Sequence, residues 1–190
     1  KSVSEQISNT LENNGTLEDI YAILEIYQSD QEALDILTHT MINWVDANGE
    51  VLVTGRTGVL SKTSNVSGRE YYSMVKSSPN EFKISEPTIG ILSSRRILPC
   101  GVGTTDKSGK FIGFVSTTLD LHKITEKISH KLQLNNIALF ILSNKNHLLI
   151  ETPSNFITER HSEVLKSAGS YSFITDGKPH IADTKKLFGN

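Results

Sequence analysis

From its first residue the chain places apolar side chains at helical intervals for about forty positions. Val3, Ile7 and Leu11 recur every four residues and share one helix face. Asn13-Asn14-Gly15 interrupts that stripe, and Thr16 then offers an N-cap with Asp19 in the first turn. Leu17, Ile20, Leu24 and Tyr27 make the next stripe, and Ser29-Asp30 can cap a third helical segment carrying Ala33, Ile36 and Leu37. The simplest use of these faces is packing against the rest of their own domain. The sharper alternative is a helix that leads out of a membrane and pairs with its twin in a homodimer.

At Met41 the period changes to that of strands. Residues 41–46 and 50–54 flank Ala47-Asn48-Gly49, and Asn-Gly supplies the positive φ angles of a tight hairpin turn. A polar loop is expected over 55–66. Ser67 and Glu70 have capping-box spacing and predict a short helix to about Lys76, ended by Ser77-Ser78-Pro79-Asn80. Two strands follow at 95–104 and 110–119 around Asp106-Lys107-Ser108-Gly109. A helix then carries Leu121, Ile124, Ile128 and Leu132. This order predicts an α+β fold, an antiparallel five-stranded sheet with flanking helices.

Near Ile137 the pattern restarts. Strands at 137–142 and 147–151 flank Ser143-Asn144-Lys145-Asn146, followed by a helix near 158–167 and a strand pair around Asp176-Gly177. This is a weak internal repeat of order and turn chemistry. The expected organisation is a helical segment 1–40, a module 41–132, and a smaller, shortened module 133–190.

Charge and chemistry narrow the function mainly by exclusion. A net charge of −2 without a basic stripe gives no reason to expect a nucleic-acid partner. The one cysteine, Cys100, rules out an internal disulfide and a cysteine-based metal site. It sits in the apolar run Ile97-Leu98-Pro99-Cys100 and reads as a small core residue. No signal peptide and no long apolar span is present. The chain opens at Lys1 without a methionine, as expected of a piece of a longer protein, so the missing span says nothing of the parent. Gly101-Val102-Gly103 begins like a dinucleotide fingerprint, but Asp106 stands where the third glycine is needed. Gly109-Lys110 is followed by Phe111 instead of the serine or threonine of a phosphate loop. The six histidines form no i, i+4 pair, and no nucleophile elbow occurs. No cofactor, metal or catalytic residue is expected.

One segment stands out. Asn65-Val66-Ser67-Gly68-Arg69-Glu70-Tyr71-Tyr72 puts an arginine and two aromatics at the start of a short helix. Helix N-termini favour anions, and a guanidinium can grip a carboxylate with two hydrogen bonds. Tyr71 and Tyr72 offer an apolar wall and a hydroxyl. The rival reading has Arg69 in an ion pair with Glu70 or Asp46 and one tyrosine in the core.

These pieces resemble, in order, the Cache (PDC) family of extracytoplasmic sensor domains in its double-module form. The resemblance runs over 44–121. It comprises the Trp44-Val45-Asp46-Ala47-Asn48-Gly49 hairpin, the 67–72 segment, Ile84-Ser85-Glu86-Pro87, Ile97-Leu98-Pro99, and Asp106 through Gly113. It implies PAS-like modules after a long N-terminal helix, in the periplasmic part of a membrane-anchored receptor. The expected parent is a sensor histidine kinase, with a diguanylate cyclase, a chemoreceptor or a ligand-free dimerisation domain as alternatives. It also implies a small ligand in the first module, held by Arg69 and Tyr71 with Tyr72, Ser93, Ser116 and Thr118 near it, and by Arg95 or Arg96 as a second basic contact. Amino-acid binders of the family carry an aspartate where this chain has Thr118, and Asp120 belongs to the next helix. A small carboxylate is therefore favoured over an amino acid. Capture is expected to order the 55–66 loop over the pocket and shift the terminal helices.

Overall fold

The computed structural model describes residues 2–33, 41–132, 139–143, 145, 147–152, 170–175 and 178–183. Two helices open the chain, α1 (Val3–Glu12) and α2 (Leu17–Ala33). Ser2 caps α1, its Oγ accepting from the Glu5 N–H at 3.2 Å. At the start of α2 the capping is reciprocal. Thr16 Oγ1 accepts from the Asp19 N–H at 3.3 Å, and Asp19 Oδ2 accepts from the Thr16 N–H at 2.8 Å. Between the helices Asn14 takes a φ of 57°, a conformation its short polar side chain tolerates. The expected third segment does not start at Ser29-Asp30. Both residues lie inside α2, because no glycine or proline breaks the helix there. Ile36 and Leu37 lie outside the described residues.

The elements that follow are β1 (Met41–Asp46), β2 (Glu50–Thr54), β3 (Gly58–Asn65), α3 (Glu70–Ser77), β4 (Lys83–Ile84), β5 (Thr88–Ile89), β6 (Arg96–Thr105), β7 (Phe111–Asp120) and α4 (Leu121–Leu132). The strands form one antiparallel sheet in the order β3-β2-β1-β7-β6-β4, with β5 also on the β6 edge. It has seven strands where five were expected. The path β2-β1-β7-β6-β4 is the PAS-like core, and β3 and β5 extend it. β3 occupies most of the stretch expected as a loop. It is an edge strand with mostly exposed residues, so it lacks the apolar alternation that marks a half-buried strand.

The same carboxylate device closes both long hairpins. Asp46 Oδ1 accepts from the N–H groups of Asn48 (2.9 Å) and Glu50 (2.8 Å). Asp106 Oδ1 does the same for Ser108 (2.9 Å) and Lys110 (3.0 Å). Each turn ends on a glycine in the left-handed region, Gly49 at φ 86° and Gly109 at φ 83°.

Strand alternation divides the core between the two sheet faces. Ile42 and Trp44 of β1 pack with Val53 and Val115 against Ile7, Ile20 and Leu24. The N-terminal stripes are thus spent on the domain's own core. On the other face Val45, Val51 and Phe114 pack with Tyr72 and Val75 of α3.

The chain divides into two units, Lys1–His130 and Lys131–Asn190. In the second, β8 (Leu139–Leu142) pairs with β9 (Leu148–Thr152), and β10 (Ser170–Thr175) with β11 (Lys178–Asp183). Ser143 Oγ accepts from the Lys145 and His147 N–H groups, both at 3.2 Å, in the i+2, i+4 pattern of the aspartate turns. The helix expected near 158–167 lies outside the described residues. Among the described residues no helix is long and apolar enough to cross a membrane.

Candidate ligand-binding cavity

The sheet face that carries α3 is only partly covered by it. Beyond the Val45–Phe114 cluster the strands floor a half-open cavity, whose empty space of about 540 Å³ includes the open solvent at its mouth. Period-2 alternation selects the floor: Met41 and Asn43 from β1, Val51 from β2, Ile97 from β6, Ser116 and Thr118 from β7. Ser64 of β3, Val66, Arg69 and Tyr71 form one wall. Residues 88–93 form the opposite rim, where Ile89, Ile91 and Leu92 are also exposed to solvent.

Arg69 is the N-cap residue of α3, in extended conformation (φ −92°, ψ 143°) and with no side-chain cap bond. The expected capping box is not made, because Asn65 Oδ1 takes both the Ser67 N–H (2.8 Å) and the Ser67 hydroxyl (2.6 Å). The Arg69 side chain is free of that duty and donates from Nη1 to Thr88 Oγ1 at 3.0 Å. Among the described residues it forms no ion pair. Asp46, the rival partner, is engaged in its own turn. Among the described residues no aspartate or glutamate lines the cavity, so Arg69 is the one charged group of the described lining. Among the described residues the bond to Thr88 uses one of the five guanidinium N–H groups.

Tyr71 follows on the same wall, its ring edge-on to Phe114 at 5.9 Å between centroids. Burial pushes its hydroxyl up to about 12, against the opposing pull of Arg69. It is therefore a neutral hydrogen-bond donor at any physiological pH.

Asn43 is the unusual floor residue. It is 5 % exposed, in a strand whose neighbours are apolar. Its Nδ2 donates to Ser116 Oγ (3.2 Å) and, more weakly, to the Met41 carbonyl (3.4 Å). Its Oδ1 is buried and has no hydrogen-bond partner among the described residues.

Of the positions singled out in the sequence, Arg69, Tyr71, Ser93, Ser116 and Thr118 line this cavity. Tyr72, Arg95 and Arg96 do not. Tyr72 points into the core, its hydroxyl donating to the Ala47 carbonyl at 2.7 Å and its ring against Phe111 and Phe114. Successive residues at a helix start lie about 100° apart, so only one of the two tyrosines can face the cavity. Arg95 is bound to Asp120, Nη1 to Oδ2 at 3.1 Å. Asp120 is nearly buried and also accepts from the Lys123 N–H at 3.1 Å, holding the start of α4. Burial raises its pKa, but the Lys123 and Arg95 bonds outweigh that and hold the carboxyl below its ordinary range. Arg96 is exposed and next to Ile97, which faces the cavity, so it lies on the other side of β6.

Sequence reasoning missed Asn43, Ser64, Thr88 and the apolar floor residues Met41, Val51 and Ile97. Asn43 did leave a signal, a lone amide at an inward position of Met-Ile-Asn-Trp-Val-Asp. Thr88 left none, because the two-residue strands β4 and β5 carry no periodicity.

No family model matches the sequence, and comparison with curated proteins finds no match. Solved structures do resemble it. An extracellular ligand-binding receptor from Desulfohalobium retbaense superposes with a TM-score of 0.72 at 18% identity, over 98% of this chain and 34% of that one. The ligand-binding domain of the Campylobacter jejuni chemoreceptor Tlp3, in complex with L-norvaline, gives 0.68 at 14% identity, over 98% and 75%. The extracellular domain of rpHK1S-Z16, assigned as a histidine kinase, gives 0.62 at 17% identity, over 94% and 82%. The chain spans about a third of the first of these proteins and three quarters or more of the other two. At these identities the likeness is one of architecture: the chain has the Cache-type α+β fold of extracellular ligand-binding sensor domains.

Proposed function

We propose that the chain is the extracytoplasmic, periplasmic sensor portion of a membrane-anchored receptor, and that its first unit binds a small carboxylate in the cavity beside Arg69. The observation that carries this reading is the uncompensated guanidinium in the cavity wall, joined there by the neutral Tyr71 hydroxyl. The domain itself performs no covalent chemistry. It biases two conformations by binding them with different affinity. A sensor histidine kinase is the favoured parent, in keeping with the fold likeness to rpHK1S-Z16. The fold likeness to Tlp3 favours a chemoreceptor as the second reading.

Tlp3 was crystallised with an amino acid, but here no carboxylate stands among the described lining residues to balance an ammonium group. That favours a ligand whose only charge is its carboxylate. The same reading places a homodimer along the outer side of α2, where Ile26 is 63% exposed. Sedimentation of the wild type against Ile26→Glu checks it, and identical monomeric profiles reject it.

The direct test is a thermal-shift screen of mono- and dicarboxylates, amino acids, amines and nucleobases, with Arg69→Ala in parallel. A ligand at a hundred times its dissociation constant adds about 2.7 kcal/mol of stability. A carboxylate shift that vanishes in Arg69→Ala is the expected result. Silence from every carboxylate rejects the reading and moves the domain to a protein-interaction role.

A further inference from the structure

Asn43, a residue of the cavity floor, carries a buried side-chain oxygen with no hydrogen-bond partner among the described residues. Asn43 sits at the centre of the sheet on β1, flanked by β2 and β7, and is 5 % exposed. Its amide orientation is set by its neighbours. The Met41 carbonyl can only accept, so the NH₂ group must face it, and the same group reaches Ser116 Oγ. The carbonyl oxygen is left over, buried and without a donor among the described residues. Buried acceptors are normally paired, and an unpaired one on a cavity floor needs an explanation. A hydrophobic residue would fill this position of β1 without leaving an orphan.

We infer that Asn43 Oδ1 is a second recognition point of the cavity, and that the ligand is a carboxylate that also carries a neutral hydrogen-bond donor, a 2-hydroxy acid being the simplest class. This rests on the carboxylate reading of Arg69. Arg69 takes the carboxylate, and a hydroxyl on the adjacent carbon donates to Asn43. A neutral acceptor pairs with a neutral donor at no electrostatic cost. An ammonium at the same place would be buried opposite an amide, with no carboxylate among the lining residues. The apolar floor and the Ile89–Leu92 rim accommodate an aliphatic tail on the same molecule.

The test uses two trios that differ only in the substituent on the second carbon: lactate, propionate and alanine, and 2-hydroxy-4-methylpentanoate, 4-methylpentanoate and leucine. Dissociation constants are measured by calorimetry on the wild-type chain, so the outcome does not depend on a variant folding. The expected result is that a hydroxy acid binds about tenfold tighter than its deoxy partner, equivalent to about 1.4 kcal/mol. Asn43→Leu should remove that preference while the deoxy acid still binds. Equal binding of hydroxy and deoxy acids overturns the role of Asn43 and leaves the carboxylate reading standing. Tighter binding of the amino acid overturns the neutral-donor inference. If no acid of either trio binds, the inference falls with the Arg69 reading beneath it.

Discussion

The N-terminal helices form part of the first unit's own core, and Ile7→Ala measures that directly. Ile7 is 0 % exposed and packs in the cluster that contains Trp44. Truncation to alanine removes three carbon groups, worth about 2.4 kcal/mol at about 0.8 kcal/mol each. A cavity term adds to this because the close-packed neighbours, strand residues of the sheet together with Ile20 and Leu24 of α2, relax only partly, for a total of about 3 to 4 kcal/mol. With a urea m-value of about 2 kcal/mol/M, the midpoint falls by about 1.5 to 2 M. The chain has one tryptophan, so its fluorescence reports the cluster that is being disturbed. Ser73→Ala, at an exposed position of α3, is the control and should cost less than about 0.5 kcal/mol. A loss below about 1 kcal/mol for Ile7→Ala would refute the reasoning. The helices would then be appendages, free for a different partner.

Three further outcomes follow from single sites. Two glycines should respond to alanine with opposite sign: Gly113→Ala puts a Cβ 2.4 Å from the Val45 carbonyl oxygen at φ 148° and should cost at least about 3 kcal/mol, whereas Gly68→Ala meets nothing within 4 Å and should gain up to about 1 kcal/mol. Equal urea midpoints for the two variants would show that the local geometry is not what is described. Burial pushes the Cys100 thiol up to about 11, so at pH 8 only about one molecule in a thousand is thiolate, and iodoacetamide should label it only after unfolding; rapid labelling of the native chain rejects the core assignment. Asp120 has a folded pKa below its unfolded value, so its stabilising contribution is present above about pH 4 and disappears as pH falls through the folded value. Asp120→Asn should therefore lose stability at pH 7 and show a shallower acid limb than the wild type, and superimposable pH profiles would remove the Arg95–Asp120 pair from the account.

The parts of this fold that were legible share a physical origin. Helix stripes and the two long hairpins are written in local terms: a period, a cap, an aspartate that gathers two N–H groups, a glycine at positive φ. The edge strand β3 was not legible because its register comes from pairing with β2 and its side chains are mostly exposed. The candidate site divides in the same way. Arg69 and Tyr71 announced themselves by chemistry at a helix start. The assignment of Arg95 failed because a strand-to-helix junction, Asp120, claimed it from 25 residues away. Tyr72 was misplaced because a sequence shows two tyrosines but not which one the helix turns inward.

The sheet also separates recognition from stability, which makes the functional test interpretable. Trp44 and Asn43 are adjacent in sequence, yet one lies in the helix-side cluster and the other on the cavity floor. Arg69 belongs to neither core cluster, caps no helix with its side chain, and has one neutral hydrogen bond, to Thr88. Replacing it with alanine removes an uncompensated charge from a half-buried wall, which relieves about as much desolvation as it loses in bonding. The net change should stay within about 1 kcal/mol. If Arg69→Ala unfolds with the wild-type urea midpoint yet no longer responds to the carboxylate, the residue is held in place for a ligand. If it is severely destabilised instead, Arg69 is a structural residue with an interaction partner, and the cavity has lost the charge that argues for an anion.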